Sequence, residues 1–131
     1  MLTYTIFETR LGWMGLARSS KGLCQVVLPQ SPPEAVLCLF SDRLRVATLD
    51  ASSFNDLSHR LKQYLSGKIV DFPDKLDLNN STPFQRAVWK IVRSIPYGET
   101  RSYAWVAQQM GMPQAVRAVG RALAKNPLPI V

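Results

Sequence analysis

This sequence is poor in the residues on which most metal and covalent chemistry depends. It has two cysteines, Cys24 and Cys38, and one histidine, His59. Two cysteines are too few for a disulfide framework, and the default home is then a reducing cytoplasm. Cys24 falls in an expected strand and Cys38 on an expected helix, so both read as small core residues. His59 reads as part of a polar helix face. These three residues could not complete a four-ligand zinc site without carboxylates, and no cofactor is expected. Long apolar runs are missing too. Nothing approaches the roughly 18 consecutive apolar residues that a membrane span needs. The opening MLTYTIFETR has no basic segment followed by an apolar core, so it does not read as a secretory signal. There is no Walker loop, dinucleotide fingerprint, HExxH or GxSxG, no convincing pair of carboxylates, no internal repeat and no low-complexity tract.

Acidic charge is scarce in one half only. From residue 81 onward the basic residues are Arg86, Lys90, Arg93, Arg101, Arg117, Arg121 and Lys125, against a single acid, Glu99. Before residue 81 the two signs nearly cancel. The formal net charge of +7 therefore belongs to the C-terminal portion, as expected of a nucleic-acid surface. Charge alone would equally fit an acidic protein partner or an anionic membrane.

What is present describes a packed protein. At 131 residues, 47% of them hydrophobic, the chain is one ordinary domain or two small ones sharing an interface. Residues 2–8, 12–18 and 22–28 read as strands. Gly12, Gly22 and the polar turn Ser19, Ser20 and Lys21 make them an antiparallel meander. A helix follows, with Ser31 as its cap, Pro32 first, Glu34 third, and Val36, Leu37, Leu39, Phe40 and Leu44 on its apolar side. Residues 46–49 can form a short strand. Ser53 starts a helix whose buried stripe is Phe54, Leu57, Leu61, Tyr64 and Leu65, ended by Gly67. Residues 68–80 have no clear period and read as a linker on the surface.

The stretch from Ser81 to Val131 reads as three helices in close succession. Thr82, Pro83 and Gln85 open the first with a capping box. Phe84, Ala87, Val88, Ile91, Val92 and Ile95 form its apolar face, and Pro96, Tyr97 and Gly98 end it in a turn. Ser102 caps the second, with Tyr103, Val106, Ala107 and Met110 on its apolar side and Gly111 as terminator. Pro113 suits the start of the third. There Val116, Val119 and Leu123 face one way, while Gln114, Arg117, Arg121 and Lys125 line another face. Two helices and a tight glycine turn fit a helix-turn-helix, and they fit a plain structural hairpin as well. A row of like charges costs an isolated helix a few tenths of a kcal/mol per pair. A polyanion alongside would reverse that penalty, as at a recognition helix.

The segments TPFQRAVWKIVRSIPYGETRSYAWVA and RAVGRALAKNPLPIV resemble the O6-alkylguanine-DNA alkyltransferases, the methylated-DNA–protein-cysteine methyltransferases. The resemblance is specific over residues 82–131 and looser before them. It implies a ribonuclease-H-like α/β domain of antiparallel strands and helices over residues 1–80, linker included. An all-α helix-turn-helix DNA-binding domain, incomplete, would then occupy residues 81–131. It implies DNA repair in which the recognition helix enters the minor groove of double-stranded DNA and the alkylated guanine is flipped into a pocket. A cysteine then accepts the alkyl group once, irreversibly. Arg117 matches the arginine that fills the space left by the flipped base, and Tyr103 the tyrosine that crowds the 3′ phosphate. Ala115 and Val116 fall where backbone amides meet phosphate. Gln114, Arg121 and Lys125 share the expected DNA face, and Asn126 matches the asparagine that supports the active-site loop. The family's acceptor lies in a Pro-Cys-His-Arg motif, which residues 1–131 do not contain, so no catalytic residue is assigned among them. They are expected to bind DNA without transferring an alkyl group, as a monomer, in the cytoplasm and without a membrane. A chain cut before that motif is expected to expose Leu128, Ile130 and Val131. The alternatives are a non-enzymatic alkyl-lesion sensor or helix-turn-helix regulator, and a folded remnant with no activity.

Overall fold

Strand alternation at the N-terminus and helical periodicity at the C-terminus resolve into separate units in the computed structural model, which describes residues 2–40, 47–78, 81–96 and 98–130. The first unit comprises Met1–Asp77 with Pro127–Val131, and the second Leu78–Asn126.

In the first unit, β1 (Thr3–Thr9), β2 (Gly12–Ser19) and β3 (Gly22–Gln30) form the expected antiparallel meander. A two-residue strand, β4 (Thr48–Leu49), adds in parallel to β1, giving the order β3-β2-β1-β4. The expected strand also included Val46, which lies outside the described residues. Strand β2 is central and is buried from Met14 through Ala17 without alternation, as happens when both faces of a strand are covered. Helix α1 (Pro33–Leu39) covers the Gly15 face, where an added Cβ would come within 2.5 Å of Val36 Cγ1. On the opposite face, Arg18 lies over the ring of Phe54, 4.6 Å from its centroid. Phe54 ends a 3-10 turn, Ser52–Phe54, that leads into α2 (Asn55–Leu65). Phe54, Leu57 and Leu61 are fully buried as expected, each contributing about 1.5–3 kcal/mol.

The capping box at Ser31 does not form: Pro32 occupies the cap position, so Ser31 is one residue too early. Only Val36 of α1 is buried, Leu37 and Leu39 are about half exposed, and Leu44 lies outside the described residues. Cys38 is exposed and Cys24 half-buried, so neither is a core residue. The stretch before the second unit is not a loose surface linker. Leu76 bridges Leu23 in parallel, the Leu23 N–H donates to Lys75 O and the Asp77 N–H to Leu23 O. Asp77 is buried and its carboxylate accepts from Ser19 Oγ at 2.5 Å. Asn79 and Asn80, also in that stretch, lie outside the described residues. Leu128, expected to be exposed, is buried within the first unit, where Pro127 O accepts from the Val26 N–H at 2.7 Å. Ile130 is half-buried, and Val131 lies outside the described residues.

The second unit holds α3 (Pro83–Arg93), α4 (Tyr103–Gln109) and α5 (Val116–Ala124). The capping box at Thr82 and Gln85 forms as expected. Val88, Trp89, Val106, Ala107, Val119 and Ala122 make a shared core. Trp89, absent from the expected apolar face of α3, is in it; Ala87, assigned to that face, is exposed. Helix α3 has neighbours on two sides, α4 and α5, which widens its buried stripe past a single row. Tyr97 lies outside the described residues.

Candidate nucleic-acid interface

The link between α4 and α5 is built by local chemistry. Gly111 adopts φ +70°, a left-handed conformation that favours glycine. Its N–H donates to Gln108 O, and the Met112 N–H donates to Ala107 O, both at 3.0 Å. This pair of bonds is the Schellman closure of a helix C-terminus. Pro113 and Gln114 then turn, the Ala115 N–H donates to Met112 O at 2.9 Å, and α5 begins at Val116. Pro113 therefore does not start the helix. Gln114 is exposed, but in the turn ahead of α5 rather than on its basic row.

The start of α5 differs from those of its two neighbours. Helix α3 is capped by Thr82 and α4 by Ser102, each through a side-chain oxygen that accepts a backbone N–H. Helix α5 has Ala115 at that position and no side-chain cap. The first N–H groups of a helix need acceptors from elsewhere, and together with the helix dipole they attract anions.

Beyond that start, Arg117, Arg121 and Lys125 are all exposed, whereas Val119 and Ala122 turn into the core. None of the three cations has an acidic partner among the described residues. Glu99, the only acid after residue 81, is taken up by Arg101, whose Nη2 lies 2.7 Å from Glu99 Oε1. Arg101 also sits over the ring of Trp105, 5.4 Å from its centroid. Val116, expected on the apolar side, is at the margin of exposure at 36%.

Tyr103, expected on the apolar side of α4, is the first residue of that helix and is 52% exposed. Its ring lies over α5 at Gly120. Asn126 follows the last turn of α5, and its N–H donates to Leu123 O at 3.2 Å. The structure thus brings Tyr103 on α4, Arg117 and Arg121 on α5 and Lys125 at the C-terminal cap of α5 into one unit, with Gln114, Ala115 and Val116 at the head of α5. The residues of covalent chemistry sit elsewhere: Cys24 on β3, Cys38 on α1 and His59 exposed on α2. Among the described residues no group of His, Cys, Asp and Glu could hold a metal ion, and no helix is long and apolar enough to cross a membrane.

Trp89 is the residue that sequence reasoning missed. Its indole N–H donates to Ala122 O at 2.8 Å within the core and ties α3 to α5. A tryptophan beside a valine on an amphipathic helix was the available signal.

Comparison with known proteins bears on both units. Residues 2–91 match the 6-O-methylguanine DNA methyltransferase ribonuclease-like domain, and residues 83–131 match the DNA binding domain of the same family. A methylated-DNA–protein-cysteine methyltransferase of Methanosarcina barkeri is 45% identical over 128 residues, covering 98% of this chain and 77% of that protein. The protein of that name from Mycobacterium tuberculosis is 45% identical over 84 residues, 64% of this chain and 50% of its own length. The chain thus spans about half the length of the mycobacterial relatives it matches. Among solved structures, Mycobacterium tuberculosis O6-methylguanine methyltransferase superposes with a TM-score of 0.83 at 34% identity, over 99% of this chain and 74% of that one. Mycobacterium tuberculosis OGT in complex with DNA superposes at 0.79 and 35% identity, over 98% and 73%.

Proposed function

Because this chain belongs to the 6-O-methylguanine DNA methyltransferase family, we propose that it serves in the repair of O6-alkylated guanine in double-stranded DNA. In this reading α5 is the helix that enters the minor groove, and the DNA-binding residues are Tyr103, Gln114, Ala115, Val116, Arg117, Arg121 and Lys125. The observation that carries it is the head and flank of α5. Its first turn has no side-chain cap, and three exposed cations follow with no acidic partner among the described residues. Such a surface suits a phosphate backbone, to which uncapped amides and basic side chains both donate.

Arg117, at the second position of α5, is the side chain we assign to the space left by the displaced guanine. Flipping costs a few kcal/mol of stacking and pairing, least at a damaged pair. A wedge inserted in its place offsets part of that cost. Tyr103, lying over Gly120 and still half exposed, is assigned to the neighbouring phosphate, and Asn126 to support of the loop that follows.

The only thiols in residues 1–131 are Cys24 and Cys38, both in the first unit. We assign neither as alkyl acceptor. A thiolate nucleophile requires a nearby base or a positive environment, and neither cysteine belongs to a Pro-Cys-His-Arg motif. Residues 1–131 accordingly supply lesion recognition, as a monomer in the cytoplasm. The test is fluorescence anisotropy with duplexes containing O6-methylguanine or guanine, followed by intact-mass spectrometry of the protein. Preferential binding of the lesion duplex with no gain of a methyl group is expected. No binding to either duplex contradicts the recognition role, and a methyl group found on Cys24 or Cys38 contradicts the acceptor assignment.

A further inference from the structure

The first unit carries a second concentration of positive charge, which the DNA reading does not use. At the β2–β3 turn a cleft of about 280 Å³ is lined by Arg18, Lys21 and Lys75, with Ser19, Ser20 and Asp74. Lys21 and Lys75 are far apart in sequence and are brought together by Gly22. A Cβ on Gly22 would lie 2.6 Å from Lys75 O, so only glycine lets the 75–76 backbone cross the turn so closely. That crossing is then fastened by the Leu23 N–H on Lys75 O at 2.8 Å and by Ser19 Oγ on the buried Asp77.

The charge balance of the cleft is one-sided. Its single acid, Asp74, faces three cations across the lining and is chelated by Arg60, with Nη1 to Oδ1 at 2.7 Å and Nη2 to Oδ2 at 2.9 Å, a guanidinium that also meets the exposed Asp56 at 3.1 Å. Arg18 gives one N–H to Ser53 O at 3.1 Å and stacks its guanidinium on Phe54, leaving donors of its planar fork unspent. Lys21 and Lys75 make no ion pair among the described residues. Converging like charges is unfavourable unless an anion joins them. The cleft falls just below the roughly 300–1,000 Å³ of drug-sized ligand sites, so its occupant is small.

We propose that this cleft binds a phosphate group through Arg18, Lys21, Lys75 and the Ser20 hydroxyl. The group is either a free phosphate or phosphate monoester, or a single phosphodiester of a DNA strand. The site lies in the first unit and does not depend on the role assigned to α5.

The experiment is titration of the ¹⁵N-labelled 131-residue protein with inorganic phosphate, with chloride holding ionic strength constant, followed by amide chemical shifts. Saturable shifts at residues 18–22 and 74–75 are expected. The double variant Lys21→Gln/Lys75→Gln should weaken them by about tenfold or more, the scale of losing one charge-assisted hydrogen bond. DNA affinity of that variant against salt separates the two sources. A slope flattened by about 0.9 per lost contact assigns the site to a DNA phosphate, and an unchanged slope assigns it to a free one. Absence of saturable shifts at the cleft, or shifts spread over all basic residues including α5, overturns the proposal. The phosphate titration gives its result even if the protein binds no DNA.

Discussion

The indole N–H of Trp89 on α3 donates to the carbonyl of Ala122 on α5 at 2.8 Å, inside the core of the helical unit. The bond fixes the rotation of α5 about its own axis. With Val119 and Ala122 held inward, Arg117, Arg121 and Lys125 have to face out. Trp89→Phe keeps most of the apolar volume but removes the indole donor, leaving the Ala122 carbonyl only the Lys125 N–H at 3.2 Å. A loss of about 0.5–1.5 kcal/mol is expected. Urea unfolding monitored by circular dichroism measures it, and an unchanged midpoint would mean that the core does not depend on this bond.

Gly120 sits in the interior of α5 beneath Tyr103. A Cβ there would lie 3.4 Å from Tyr103 Cε2 and 3.5 Å from Cδ2, which is ordinary contact. Alanine therefore fits, and it removes the entropic penalty of a helical glycine, roughly 0.5–1 kcal/mol. Gly120→Ala should raise the melting temperature by a few degrees. Gly120→Leu, with no room under the ring, should displace Tyr103 and lower it. A fall in melting temperature for the alanine variant would show the ring seated more tightly on α5 than this geometry allows.

The ion pair between Arg60 and Asp74 makes the first unit acid-sensitive. The hydrogen bonds from Arg60 hold the Asp74 carboxyl below the ordinary carboxylate range, against the opposing effect of burial. A carboxylate whose pKa is lowered on folding adds stability above its unfolded value of about 3.9, and that contribution is lost as pH falls toward the lower folded value. Arg60 is shifted upward by the same partner and stays charged throughout. Asp74→Asn should cost about 1.5–3 kcal/mol at pH 7, and the difference from the parent should start to shrink below about pH 4 and vanish only once pH is below the lowered folded value. A difference that persists there would assign the effect to packing rather than charge.

Much of this architecture is legible in the residues. Glycines mark the hairpins and the end of α4, and Thr82 and Gln85 announce the start of α3, because those signals are local and make their own hydrogen bonds. What the sequence hides depends on neighbours. Trp89 is buried and Ala87 exposed because two helices flank α3. Asp77 is buried where the chain crosses β3, and Ser19, distant in sequence, donates to it. Leu76 has no periodic context, yet pairs with Leu23. Gln114 fits a helical row on paper, but the turn through Pro113 delays α5 to Val116. The exposed cations Arg117, Arg121 and Lys125 are the easiest to find, since a side chain that packs against nothing keeps the position its helical spacing assigns.

If the exposed side of α5 meets DNA phosphates, as proposed, these side chains set how steeply duplex affinity falls with salt. Arg117, Arg121 and Lys125 changed together to alanine should flatten the slope of log affinity against log salt by about 0.9 for each side chain that contacts a phosphate, with the urea midpoint unaltered because all three are exposed. A triple variant whose slope equals that of the parent, while both remain folded and bind DNA, would mean that phosphates meet the protein somewhere other than on this side of α5.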